Sequence, residues 1–105
     1  MNQITVFKNR TTVVPVSLGF DVSTDTFTSE IRANKDHESP IIATWDVTFL
    51  NDGTDGELIL TLDDSATVNI ERTKGYMDIK RVTGGEPVAV FDDPIEVLFK
   101  SSITA

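Results

Sequence analysis

The chain has no cysteine, one histidine, one tryptophan and one tyrosine. Without cysteine there is no disulfide scaffold, no thiolate metal site and no thiol nucleophile. Positive charge is scarce: 9 Lys and Arg stand against 17 Asp and Glu, for a net charge of −8 over 105 residues. Phosphate backbones are gripped by clustered Lys and Arg, so nucleic acid is not an expected partner. No apolar run nears the roughly 20 residues of a membrane span. The first residues carry neither the basic nor the apolar stretch of a secretory signal, so no membrane partner is expected. Linkers, low-complexity stretches and internal repeats are also missing. What is present is 39% hydrophobic residues, spread along the whole chain. That suffices for one core closed without metal or disulfides, and the length fits a single domain over 1–105.

Turn residues recur about every ten positions with short apolar runs between them, the rhythm of a sandwich or barrel of short strands. Period-two alternation supports strands. In Thr12–Phe20, Val14, Val16, Leu18 and Phe20 share a face. Trp45, Val47 and Phe49 do so in Thr44–Leu50, and Leu58, Leu60 and Leu62 in Glu57–Asp63. Ile95, Val97 and Phe99 repeat the pattern near the C-terminus. Further strands are expected at Ile4–Phe7, Thr26–Ala33 (Phe27 and Ile31 inward), Tyr76–Val82 and Val88–Phe91. Pro15 cannot donate to a ladder, which calls for an edge or a bulge. Asn51-Asp52-Gly53 and Asp55-Gly56 mark a hairpin between two alternating runs. Gly84-Gly85 marks a second. Asn34–Pro40 is a polar connection. Asp63–Ile70 starts with capping residues and spaces Ala66 and Ile70 by four, so one or two helical turns from Asp63 or Asp64 are expected, with a plain loop as the alternative. The expected fold is all-β: an immunoglobulin-like β-sandwich of seven or eight strands with one short helix.

Chemistry is sparse. His37 lies in the charged stretch Lys35–Ser39 with no nucleophile or orienting partner in reach of a motif; it reads as a solvated loop residue. Asn51–Glu57 offers oxygen ligands like a calcium loop, but the position six after Gly56 is Leu62 rather than the required Glu, so a hairpin turn is the simpler account. Asp63-Asp64 and Asp92-Asp93 suggest paired carboxylates. Sequence neighbours on a strand face opposite ways, and glycoside hydrolysis needs two carboxyls flanking a cleft. No catalytic, cofactor-binding or metal-binding residue is expected, no cofactor, and no small-molecule ligand. Trp45 reads as core; with Tyr76 and Phe91 it would form a sugar platform only if exposed. Phe7, Leu50 and Phe91 fall opposite their strands' main apolar sets, which makes them candidates for an interaction surface.

From Asp21 to Leu98 the chain resembles the N-terminal domain of tailed-phage baseplate upper proteins and related small β-sandwich domains of phage virions. Three stretches carry the resemblance: Thr24–Arg32 (TDTFTSEIR), Gly56–Leu62 followed by Asp63–Thr67, and Lys74–Val82 (KGYMDIKRV) with the Gly84-Gly85 turn and a closing strand near Phe99. The resemblance implies a non-enzymatic virion structural protein of baseplate, tail or capsid-decorating type, located in the virion, with other virion proteins and copies of itself as partners. The alternative it leaves open is a carbohydrate- or receptor-binding module of a phage fibre or capsid.

Overall fold

The computed structural model describes residues 3–91 and 93–101. Among these residues it contains eight strands: β1 (Gln3–Phe7), β2 (Thr12–Ser17), β3 (Thr26–Arg32), β4 (Ile41–Phe49), β5 (Glu57–Leu62), β6 (Lys74–Thr83), β7 (Glu86–Ala89) and β8 (Ile95–Lys100), with one 3-10 turn at Asp64–Thr67. The protein is an immunoglobulin-like all-β sandwich. Its strands run in the order β1-β8-β6-β3-β4-β5-β2, with β7 paired to β6 beside the path. All pairings are antiparallel except β1 with β8.

The layers are joined by β4. Its first half pairs with β3, Ser29 standing opposite Trp45; its second half pairs with β5, Asp46 standing opposite Thr61. One strand therefore leaves the larger sheet (β1, β8, β6, β3, β7) and enters the smaller one (β5, β2). Between the layers lie Ile31, Trp45, Leu58, Leu60, Leu62, Met77, Ile79, Ile95, Val97 and Phe99, all buried. The alternation in the sequence places them there, because every second residue of a pleated strand faces the same side.

Several expectations are sharpened. β2 stops at Ser17, and Gly19 takes φ 78°. Phe20 thus leaves the strand and is 48% exposed rather than core. β2 ends the strand order, the edge position that Pro15 requires. β4 starts at Ile41 rather than Thr44, because the register shifts against β3 between Ile31 and Arg32. The extra residue hides the strand's first turn of alternation. The short helix is a single 3-10 turn. Its buried residue is Thr67, while Ala66 is exposed, so Ala66 and Ile70 do not form the expected shared face. The Asp63 side chain accepts from the Ser65 hydroxyl (2.6 Å) and not from a backbone N–H. β7 spans Glu86–Ala89 instead of Val88–Phe91, and Gly84-Gly85 turns β6 into it.

The two ends of the sandwich differ in their loops. One end gathers residues 18–25, 50–56 and the turn at 84–85. The other gathers 8–11, 33–40 and 63–73.

Candidate functional site

The outer face of the larger sheet is where polar side chains from distant segments meet. On β6, Gly75, Met77 and Ile79 are buried, so Tyr76, Asp78 and Lys80 point outward. On β3 the same alternation turns out Thr28, Glu30 and Arg32. The register sets Glu30 beside Asp78, Thr28 beside Lys80 and Arg32 beside Tyr76. With Pro87, Val88 and Ala89 from β7 and Lys35–His37 from the 33–40 loop, these residues line an open groove of about 540 Å³.

Local contacts fix the groove. Arg32 donates from Nη2 to Glu30 Oε1 at 3.0 Å and from Nη1 to the Ser39 carbonyl at 2.7 Å. Glu30 and Asp78 are like charges in adjacent strands, which costs stability; the Arg32 contact offsets it. The Lys35 ammonium sits 5.3 Å from the centre of the Tyr76 ring, within cation–π range. Along the same face Lys74 Nζ lies 3.4 Å from Glu96 Oε2. The face thus holds the cations Lys35, Arg32, Lys74 and Lys80 against the carboxylates Glu30, Asp36, Asp78 and Glu96. On the outer face of the smaller sheet, by contrast, the described residues of β4 and β5 place Asp46 and Glu57 and no cation.

A second hollow of about 300 Å³ opens at the end carrying residues 18–25 and is lined by Leu18, Phe20, Arg81, Val90 and Phe91. Its charge is already matched. Arg81 Nε donates to Asp25 Oδ2 at 2.7 Å, and its guanidinium lies 4.8 Å from the Phe20 ring centre. The Thr83 hydroxyl, and then Arg81, hold the Asp25 carboxyl below its usual range.

Acidic loops serve the backbone. Asp21 Oδ1 accepts from the Ser23 N–H at 2.9 Å and Asp52 Oδ1 from the Thr54 N–H at 3.0 Å. Asp55 Oδ1 accepts from the Glu57 N–H at 3.0 Å. These are Asx turns. The Ser23 backbone and hydroxyl lower the Asp21 pKa, the Thr54 hydroxyl and N–H that of Asp52, and the Glu57 N–H and Asn51 that of Asp55. Among the described residues, no three His, Asp or Glu side chains group as metal ligands. The stretch from Asn51 to Glu57 is a self-bonded turn. His37 stands out in solvent beside Asp36 and Glu38, its side chain 91% exposed. Asp92 lies outside the described residues, and Asp93 is exposed.

The three expected surface residues do not converge. Phe7 is exposed at the end of β1, on the larger sheet. Leu50 is exposed beside Glu57, on the smaller sheet at the opposite end. Phe91 is half-buried and packs on the core. No sugar platform forms either: Trp45 is 3% exposed, Tyr76 lies under Lys35 and Phe91 is on another side. The groove escaped the sequence reading because β3, β6, β7 and a loop build it jointly. Alternation showed that Asp78 and Lys80 face outward, but not which strand lies beside them.

No protein-family model matches the chain, and no curated protein sequence does. Among solved structures it is similar to those described as parallel homodimers of the extracellular domains of the voltage-gated sodium channel beta4 subunit, with a role in cell–cell adhesion. The identity is 11%, the coverage 97% of this chain and 92% of that one, and the TM-score 0.42. A structure from work on multimeric cell-adhesive interactions of sodium channel β subunits aligns at 10% identity over 96% and 91% of the two chains, with a TM-score of 0.43. At these values the overlap bears on neither activity nor partner. These neighbours are extracellular immunoglobulin-like domains and not baseplate proteins. The phage resemblance is therefore corrected. With it go the virion structural function, the fibre or capsid alternative, the virion location and the other virion proteins as partners. The strand-and-turn patterns behind that resemblance are shared by sandwiches of many kinds: Lys74–Val82 and Gly56–Leu62 encode alternation and a hairpin, which any such fold needs.

Proposed function

We propose that the chain is a non-catalytic recognition domain that associates with a second copy of itself through the outer face of the larger sheet. The observation that carries this reading is the distribution of charge. The molecule carries a net −8, yet the groove face presents Lys35, Arg32, Lys74 and Lys80 among Glu30, Asp36, Asp78 and Glu96. Two copies of an acidic protein repel each other over most of their surfaces. On this face the repulsion is absent, and both signs alternate on a rigid floor of paired strands. A uniformly acidic partner is repelled by the remainder of the molecule, and a uniformly basic one is drawn to that remainder rather than to the groove. A face that mixes the two signs is best matched by another of the same pattern.

Sedimentation velocity over a hundredfold concentration range tests the reading. The weight-average sedimentation coefficient is expected to rise with concentration toward that of a dimer. A single monomeric boundary up to millimolar protein defeats the proposal.

A further inference from the structure

The register of β6 says how two such faces fit, and we infer that the dimer is two-fold symmetric about an axis crossing β6 at Ile79, with Lys80 of each copy opposite the partner's Asp78. This rests on the self-association proposed above and specifies its geometry. Outward residues on β6 follow one another as Tyr76, Asp78, Lys80 and Val82. A two-fold axis perpendicular to the strand, lying in the interface between Asp78 and Lys80, exchanges the positions on its two sides. Lys80 then meets the partner's Asp78 and Asp78 meets the partner's Lys80, giving two equivalent ion pairs. Tyr76, with Lys35 over its ring, comes opposite the partner's Val82. On β3, the operation sets Glu30 opposite the partner's Thr28 and Arg32 opposite the partner's Thr26, as the β3–β6 pairing dictates. No carboxylate faces a carboxylate and no cation faces a cation.

Other placements of the axis along β6 pair like charges or leave Asp78 and Lys80 unmatched: centred on Met77 it sets Lys80 against the partner's Lys74, and centred on Arg81 it sets Lys80 against the partner's Val82. Centring it on Asp78 or on Lys80 sets that residue against its own copy. Closed two-fold interfaces must be self-complementary in this sense, and the alternation along β6 provides it at one register. The pairing also supplies Asp78 with a cation. Within one copy it stands beside Glu30, whose own partner is Arg32.

Charge exchange between copies is the test. Lys80→Asp and Asp78→Lys both change exposed strand positions, and circular dichroism checks that each folds. Each variant alone is expected to lose about tenfold or more in self-affinity, because every ion pair becomes a like-charge contact. Mixed in equal amounts, the two variants are expected to form a heterodimer near wild-type affinity. One copy then presents carboxylates at both positions and the other presents ammonium groups at both, so every contact across the axis is again between opposite charges. Wild-type dimerisation untouched by either change overturns the register while leaving self-association standing, as does a mixture that stays as weak as its components. A wild-type protein that never associates removes both readings together.

Discussion

The two ends of the sandwich solve the same problem by different chemistry. At one end, loops 18–25 and 50–56 and the turn at 84–85 contain every described glycine with positive φ: Gly19, Gly53, Gly56, Gly84 and Gly85. There the backbones clamp each other, Leu18 N–H to the Gly56 carbonyl and Val22 N–H to the Gly53 carbonyl, both at 2.9 Å. Aspartates cap the free N–H groups. The other end has no such glycine among the described residues, and buried hydroxyls hold its loops. Ser39 Oγ donates to the Asp36 carbonyl at 2.7 Å and accepts from the Asn34 N–H at 3.2 Å. Thr67, fully buried, accepts from the Asn9 N–H at 2.9 Å and donates to the Asp64 carbonyl at 3.1 Å. One end is shaped by left-handed glycines with aspartate caps, and the other, where Asn9 alone takes a positive φ among the described residues, by buried hydroxyls.

The largest effect that separates the two is expected at Gly56. It sits at φ 76°, and a Cβ there would run into the Phe20 carbonyl oxygen. Left-handed strain and overpacking add, so Gly56→Ala is expected to cost at least about 3 kcal/mol in urea unfolding. Gly84→Ala, with φ 57° and open space, should lose only about 1 kcal/mol. Equal losses at both positions would show that φ alone governs this end and that the clamp is irrelevant.

A smaller effect is expected at the hydroxyl end. Thr67→Val keeps the volume but leaves the Asn9 N–H without its acceptor. Asn9 itself is exposed, so water can take up the freed N–H and the loss is that of one hydrogen bond, about 1 kcal/mol. The same unfolding measurement reads it, and amide exchange at Asn9 should rise with it. A neutral Thr67→Val would mean that this end is held by packing alone.

The smallest effect per residue comes from acid, and most of it should fall on the glycine end. The carboxyls of Asp21, Asp25, Asp52 and Asp55, and at the other end that of Asp63, are held below their ordinary value by hydrogen bonds. A folded-state pKa below the unfolded one gives stability that is fully present above the unfolded value, about 3.9, and is lost as pH falls through the folded one. Stability should therefore be flat from neutral pH to about 5 and decline below about 4. Amides of 51–57 should lose protection before those of 34–40. Simultaneous loss at both ends would erase the distinction.

Legibility in the sequence follows the same division. The glycine end was readable: Asp55-Gly56 and Gly84-Gly85 are turn residues because few others take those backbone angles. Ser39 and Thr67 were not, since nothing in Ser or Thr distinguishes a buried hydroxyl from a wet one until the chain is closed over it. Trp45, Leu60 and Val97 were placed in the core by period-two alternation, and they lie there. Ile41–Ala43 was missed because a register shift breaks that period. Phe20 was misplaced because Gly19 diverts the chain before it. The groove belongs to the same class as the hydroxyls. Its residues are ordinary outward strand positions, and only the lateral order β6-β3 turns Lys80, Asp78 and Glu30 into one surface.

Because β4 gives its first half to one layer and its second half to the other, neither layer can come apart while the other stays intact. Pulling β4 from β3 drags on β5, and Trp45 at the crossing point is bound to lose its surroundings with either. The strands are thereby tied into one melting unit, while the loops at either end can still open by themselves.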